Sequence, residues 1–106
     1  MRQLQSVFVD RLASDIEQLN GLLGALASGV TSADRTYEEI EAIAHRVCGS
    51  AGIFDLPSVS GIAKRLELAA EAASAPGTIA AHLAELGDEL ARLKAAGLPS
   101  APDTTR

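Results

Sequence analysis

The chain has 106 residues, of which 47% are hydrophobic and 3% aromatic, and it carries a formal net charge of −5. That length suits a single domain, and a core without Trp that relies on Leu, Ile, Val and Ala favours packed helices over a β-sheet. The acidic balance and the lack of a basic cluster argue against nucleic acid as a partner.

Cysteine usage and hydropathy predict a soluble protein of the cytoplasm. The lone cysteine, Cys48, cannot form an internal disulfide, so the sequence gives no reason to expect an oxidising compartment. The first residues, MRQLQS, lack the apolar stretch of a signal peptide, and no run approaches the roughly 18 apolar residues of a membrane span. We therefore expect no membrane partner.

A long amphipathic helix is predicted at the start of the chain. Its apolar residues recur at alternating steps of four and three and so share one face: Leu4, Phe8, Leu12, Ile16, Leu19, Leu23 and Leu26. The polar break before Asp34 should end this helix, with Gly29 suited to a left-handed C-terminal cap. The second helix should begin between Asp34 and Thr36, with Thr31, Ser32 or Asp34 as its cap.

The rest of the chain predicts two more helices with short connections. The second helix should end around Phe54, because the residues before Pro57 disfavour the helical conformation. A third helix is expected from Pro57 to about Ser74. A fourth, capped by Thr78, should run to Gly97.

These elements predict the fold class and the extent of the domain. Four amphipathic helices joined by short connections bury their apolar faces most simply as an all-α, antiparallel up-down-up-down four-helix bundle. We expect this domain to span residues 1–97 and residues 98–106 to form a disordered C-terminal tail. Such a bundle can bury its apolar faces as a monomer.

The second helix has an unusual exposed side. A helical wheel places His45 almost opposite the apolar face, which consists of Ile40, Ile43, Val47 and Phe54. The neighbours of His45 on this exposed side are Glu38, Glu41, Cys48, Gly49 and Gly52. Glycine costs up to about 1 kcal/mol relative to alanine inside a helix. We therefore interpret the two glycines as a flat docking platform beside the imidazole.

An exposed imidazole of this kind predicts phosphoryl chemistry. A neutral imidazole is a nucleophile whose ring nitrogen can attack phosphorus. Glu38 and Glu41 would favour the imidazolium, or could accept a hydrogen bond from one ring nitrogen and leave the other as the nucleophile. The sequence offers no Gly-rich phosphate loop, no metal-binding cluster of carboxylates and no Ser/His/Asp set. We expect a phosphoryl carrier rather than an enzyme, without a cofactor or metal of its own.

Two stretches of the sequence resemble a known family. They read AHRVCGSAGIFDL from Ala44 to Leu56 and AKRLE from Ala63 to Glu67. They are similar to the pattern A-H-x-L-K-G-S-A-x-x-x-G-x followed by A-x-x-L-E, which is typical of the histidine-containing phosphotransfer (HPt) domains of bacterial multistep phosphorelays. The resemblance covers the middle two helices in detail and the whole chain in architecture.

The resemblance implies roles for particular residues and partners. His45 would carry the phosphoryl group, Gly49 would give an incoming receiver domain room, and Ser50 would help to anchor the helix pair. The partners would be a sensor histidine kinase and a response-regulator receiver domain, whose aspartate and bound Mg²⁺ supply the other half of the reaction. The metal would therefore belong to the partner.

Two positions depart from the family pattern. The lysine usual three residues after the histidine is Cys48, and a glycine common ten residues after it is Asp55. Arg46, or Lys64 or Arg65 on the next helix, could supply the missing cation, and we favour Lys64 on the condition that its helix face turns toward His45. The expected environment of the phosphoryl group and the docking partner therefore consists of Glu41, Arg46, Cys48, Gly49, Ser50, Gly52 and Lys64.

Two other function classes are compatible with the sequence. One is a phosphorylation-deficient four-helix interaction module that binds receiver or kinase domains, because the missing lysine could mark lost activity. The other is a small metal or redox protein that uses His45 and Cys48, although no second pair with metal-ligand spacing exists. We expect Cys48 to be a surface thiol without a special role and assign no function to His82.

Overall fold

The computed structural model describes residues 2–29 and 32–95, with side chains from residue 7 onward. This part of the chain forms four α-helices: α1 (Arg2–Ser28), α2 (Ala33–Ile53), α3 (Pro57–Glu71) and α4 (Pro76–Ala95). Each helix packs against the next one in the chain, and α1 also packs against α4, which closes the bundle. The predicted all-α four-helix bundle is confirmed. In the described residues, no helix combines the length and the hydropathy that crossing a bilayer requires.

Aliphatic side chains on the inner faces of the four helices form one core. The largest completely buried ones include Leu12, Leu19, Ile40, Leu66, Ile79 and Leu86. They follow the predicted apolar faces, because residues three and four positions apart return to the same side of a helix. At one end of the bundle the rings of Phe8 and Phe54 lie 5.4 Å apart and join α1 to the end of α2. The side chain of Leu4 lies outside the described residues.

The ends of α1 and α2 agree with the sequence-based bounds. Gly29 adopts a positive φ of 71° directly after α1, which confirms the predicted C-terminal cap. Asp55 has a φ of 60° directly after the C-cap of α2. Its N–H and that of Leu56 donate to the carbonyls of Gly52 and Ala51, which is the Schellman arrangement. Since aspartate tolerates the left-handed region better than most residues, Asp55 can stand where the family pattern has glycine.

The predicted bounds of α3 and α4 need correction. Helix α3 ends at Glu71 rather than near Ser74, because Ala73 turns into the left-handed region with a φ of 52°. Helix α4 begins at Pro76, and the carbonyl of Ala75 accepts the first backbone hydrogen bonds. The predicted cap at Thr78 is therefore wrong, because this residue already lies in the first turn. The predicted helix end at Gly97 and the predicted tail lie outside the described residues.

The start of α2 also differs in detail. Ser32 occupies the N-cap position, but its side chain makes no capping hydrogen bond. Instead the hydroxyl of Thr36 donates to the carbonyl of Ser32 at 2.9 Å. Thr31 lies outside the described residues. One turn into the helix, the hydroxyl of Tyr37 donates to the carbonyl of Ser74 at 2.5 Å and ties α2 to the α3–α4 connection.

Two ion pairs link neighbouring helices around the core. Arg46 donates to the buried carboxylate of Asp15 at 2.7 Å, which joins α2 to α1. Arg65 donates to Glu85 at 3.2 Å, which joins α3 to α4. The Arg65 guanidinium and the His82 ring beside Glu85 hold the pKa of that carboxyl below its ordinary value. Arg46 and Arg65 were both candidates for the phosphoryl-binding cation, and both instead pair with carboxylates on neighbouring helices.

Candidate functional site

The imidazole of His45 projects from the middle of α2 and contacts a carboxylate on α3. Its side chain is 75% exposed, which confirms the exposed position predicted from the helical wheel. The Nδ1 atom lies 2.8 Å from Oε2 of Glu67 on α3. Because an ionised carboxylate can only accept hydrogen bonds, this contact favours the tautomer with the proton on Nδ1. The lone pair then resides on Nε2.

The position of Glu67 follows from the packing of α3. Ala63 and Leu66 are completely buried and turn this side of α3 toward the core. Glu67 follows directly and lies at the edge of the helix beside α2, where its side chain is only 12% exposed. A carboxylate held in this way has less freedom than one on an open surface, so it can fix the orientation of the ring.

The acidic residues before His45 do not take the expected role. Glu38 and Glu41 line an open groove of about 370 Å³ together with Ala42, His45 and Glu67. The Nδ1–H group of the ring donates to Glu67 instead, so the prediction of Glu38 or Glu41 as the acceptor was wrong. Glu67 lies 22 positions away in sequence, and only the packing of α3 on α2 brings it to the ring. The groove beside His45 is therefore acidic.

Lys64 is the cation nearest to this carboxylate. Its Nζ lies 3.8 Å from Oε1 of Glu67, one helical turn away on α3. Oε1 is buried and has no hydrogen-bond partner among the residues that the structure describes. The contact with Lys64 is thus an ion pair rather than a hydrogen bond. Lys64, Glu67 and His45 form one connected group, whereas Arg46 is turned toward Asp15.

Cys48 lies against α3 instead of facing solvent. Its side chain is half-buried at the edge of the core, and its Sγ lies 3.5 Å from the hydroxyl oxygen of Ser60. That hydroxyl also donates to the carbonyl of Cys48 at 3.2 Å. The prediction of a surface thiol was therefore wrong, and Ser60 is the residue that links α2 to α3 here. Ser50 is half-buried on α2, and its carbonyl accepts the N–H of Phe54.

Gly49 and Gly52 leave the surface next to His45 open. Both are exposed, and a Cβ atom built on either one would meet nothing within 4 Å. Neither has a positive φ, so neither the backbone nor the packing of the described residues requires glycine here. Beyond them on the same helix, the side chain of Ile53 is 81% exposed. The surface that follows His45 is therefore open and includes an exposed apolar side chain, in contrast to the acidic groove before it.

Comparison with known proteins gives one match. The model of the Hpt domain family covers residues 3–96, which is almost the whole chain. The chain belongs to the Hpt domain family. Hpt domains are phosphocarrier modules of two-component signalling that interact with receiver domains and kinases, and they are not classical enzymes. Searches of curated proteins and of solved structures found no significant match.

In this Hpt domain the candidate site is shared by two consecutive helices. Helix α2 supplies the ring, the open glycine surface and part of the acidic groove, and α3 supplies Glu67, Lys64 and Ser60. Among the described residues, no three His, Cys, Asp or Glu side chains come together to hold a metal ion. The arrangement can orient one imidazole and compensate a positive charge on it.

Proposed function

We propose that His45 is the phosphoacceptor of this Hpt domain and that Nε2 forms the bond to phosphorus. Two observations on His45 together carry the proposal: its Nδ1 lies 2.8 Å from Glu67, and its side chain is 75% exposed. A ring held in this way presents its unprotonated nitrogen to an approaching partner. An imidazole buried in the core could not be reached by a second protein.

The transfer itself is a displacement at phosphorus. The Nε2 lone pair forms the N–P bond while the P–O bond to the receiver's aspartate breaks, and the aspartate carboxylate leaves with the electron pair. The ring becomes positively charged because Nδ1 keeps its proton. Glu67 lies at that proton and offsets the developing charge. Donation to a second receiver is the same step in reverse.

We further propose that the partner docks over the glycine surface of α2. Gly49 and Gly52 have open space where other residues carry side chains, so a receiver domain can bring its aspartate and Mg²⁺ close to the ring. Glu41, Cys48 and Ser50 would lie around the rim of this contact. A sensor histidine kinase is the proposed alternative source of the phosphoryl group.

Labelling by a phosphorylated receiver domain tests the proposal. The wild-type protein should acquire an acid-labile phosphoryl group, and the His45→Gln variant should not. His82→Gln is the matched control, because His82 lies on α4 and contacts Glu85 instead of the site. Label that persists in His45→Gln, or wild-type protein that accepts no phosphoryl group, would contradict the assignment.

One observation favours a second candidate function. Cys48 stands where the family pattern has lysine, and its thiol contacts Ser60 and cannot supply a positive charge. An interaction module that binds receiver or kinase domains without phosphorylation would tolerate this change. Such a protein would bind the receiver but remain unlabelled, so binding and labelling measured side by side separate the two functions.

A further inference from the structure

A phosphoryl group on His45 would enter a negatively charged environment. The groove beside the ring is lined by Glu38, Glu41 and Glu67. A phosphoryl group adds a charge of roughly −1.5 to −2 near neutral pH. Like charges at such short range destabilise one another, so a nearby cation would stabilise the phosphorylated state.

The basic residues of α2 and α3 differ in their availability. Arg46 is held by Asp15 at 2.7 Å and Arg65 by Glu85 at 3.2 Å. Arg35 lies near the start of α2, ten residues and so about 15 Å of helix before His45. Lys64 is the remaining one, and its Nζ is already beside the carboxylate that contacts the ring.

The contact between Lys64 and Glu67 is weak enough for Lys64 to leave it and bind another anion. Its Nζ lies 3.8 Å from Oε1 of Glu67, which is longer than a hydrogen bond, and its side chain is 55% exposed. The flexible four-carbon stem lets the ammonium group move by side-chain rotation alone, without a shift of α3. Glu67 uses its other oxygen, Oε2, for His45, so departure of Lys64 leaves the ring contact intact.

We propose that Lys64 is the phosphoryl-binding cation of this Hpt domain. In the unphosphorylated protein its ammonium group pairs with Glu67, and when His45 is phosphorylated it moves to the phosphoryl oxygens. This inference rests on the proposed role of His45. Helix α3 then supplies two charges near the ring: the carboxylate that accepts from Nδ1 and the cation that binds the phosphoryl group on Nε2.

Labelling with phosphoramidate tests Lys64 without any partner protein. In this reaction the N–P bond to His45 forms as the bond between phosphorus and ammonia breaks, and ammonia leaves with the electron pair. We expect Lys64→Gln to slow labelling about threefold to tenfold, the effect of losing one charge-assisted contact. Lys64→Arg should retain most of the rate. Lys94→Gln, at the far end of α4, should match the wild type.

A titration separates phosphoryl binding from a structural effect. A nearby ammonium group stabilises the doubly ionised phosphoryl group, so its removal should raise the pH midpoint of the second phosphoryl ionisation in ³¹P NMR spectra. Lys64→Gln should show this rise and Lys64→Arg should not. A variant that only destabilised the fold would have a lower melting temperature, but the pH midpoint of its phosphoryl group would stay at the wild-type value.

The outcomes distinguish this inference from the proposed function. If Lys64→Gln is labelled at the wild-type rate with an unchanged midpoint, Lys64 does not bind the phosphoryl group, while the role of His45 stands. If wild-type protein takes no label, or if His45→Gln is labelled equally, the proposed function itself fails.

Discussion

The two nitrogens of the His45 ring have different surroundings. Nδ1 is 2.8 Å from a carboxylate that is itself almost buried, while most of the side chain is in contact with solvent. A hydrogen bond to a charged group contributes about 1.5–3 kcal/mol when it is shielded from water and less when one partner is exposed, as here. Even a modest preference selects one tautomer. The ring is thus oriented before any partner arrives.

Glu67→Gln should impair phosphorylation of His45. The amide cannot offset the positive charge that develops on the ring, and its NH₂ group can donate to Nδ1 and so favour the tautomer that has its proton on Nε2. We expect phosphoramidate labelling to slow about tenfold. Glu71→Gln is the matched control, because Glu71 is exposed at the end of the same helix. Equal rates for the two variants would exclude a positioning role for Glu67.

At the scale of the helices, the ends of α2 and α3 share one feature. Asp55 and Ala73 both follow a C-cap in the left-handed region, and in each case two backbone N–H groups close a Schellman arrangement. Alanine has no side-chain group that compensates for this conformation, which costs roughly 1–2 kcal/mol. The α3–α4 connection therefore contains a strained residue, Ala73, and its methyl group cannot offset the strain by a hydrogen bond.

Ala73→Gly should stabilise the protein. Glycine adopts a φ of 52° without the steric cost of a Cβ atom, so we expect the free energy of unfolding to rise by about 1 kcal/mol in chemical denaturation. Ala72→Gly is the control, because Ala72 has a φ of −82° and gains nothing from glycine. That variant should be neutral or less stable than the wild type. A stability of Ala73→Gly at or below that of Ala72→Gly would contradict this explanation.

Some helix ends were predictable from the sequence and others were not, depending on whether the residue at the end is typical of that position. The end of α1 was predictable because Gly29 is a residue that favours positive φ. The end of α3 was not, because Ala73 in the same conformation resembles an ordinary helical residue. Thr78 is a good capping residue, but Pro76 already has the φ that the first helical position requires, so α4 begins earlier.

The sequence predicted the exposed side of α2 and a place for Lys64 near it, but not the contacts that join α2 to α3 at the candidate site. The exposure of His45 and the open surface at Gly49 and Gly52 depend on the periodicity of one helix, which the sequence determines directly. The contacts of Glu67 and Ser60 depend also on how α3 is rotated about its own axis against α2. A helical wheel contains no information on that rotation, so the burial of Cys48 and the acceptor for the ring were both misassigned.

The whole molecule separates its core from its reactive surface. The core consists mainly of aliphatic side chains from all four helices, whereas the ring and the glycines lie on the outside of α2 and the acidic groove lies between α2 and α3. A change at the exposed residues His45, Gly49 or Gly52 removes no buried contact, so it can alter partner binding without unfolding the bundle. Substitutions at these residues can therefore change phosphotransfer while the bundle remains stable.

Gly49→Gln should reduce docking and preserve the fold. The new side chain projects into open space next to His45, so it obstructs a receiver domain but displaces nothing in the bundle. We expect transfer from a phosphorylated receiver to slow at least about tenfold, with phosphoramidate labelling nearly unchanged.

Gly21→Gln provides the matched control for this substitution. Gly21 is also exposed within a helix with open space around it, but it lies on α1. Both variants should gain slightly in stability, because glutamine is a better helix former than glycine. Transfer at the wild-type rate by Gly49→Gln, or an equal loss in Gly21→Gln, would exclude docking over the glycine surface.

The contact between His45 and Glu67 also makes the ring sensitive to helix register. The two groups come from different helices, and a slide of one helical turn would separate them by about 5.4 Å. Smaller twists of α3 would lengthen the hydrogen bond and release the preference for one tautomer. Any shift of α3 against α2 would thus change the reactivity of the imidazole without a contact to the ring itself.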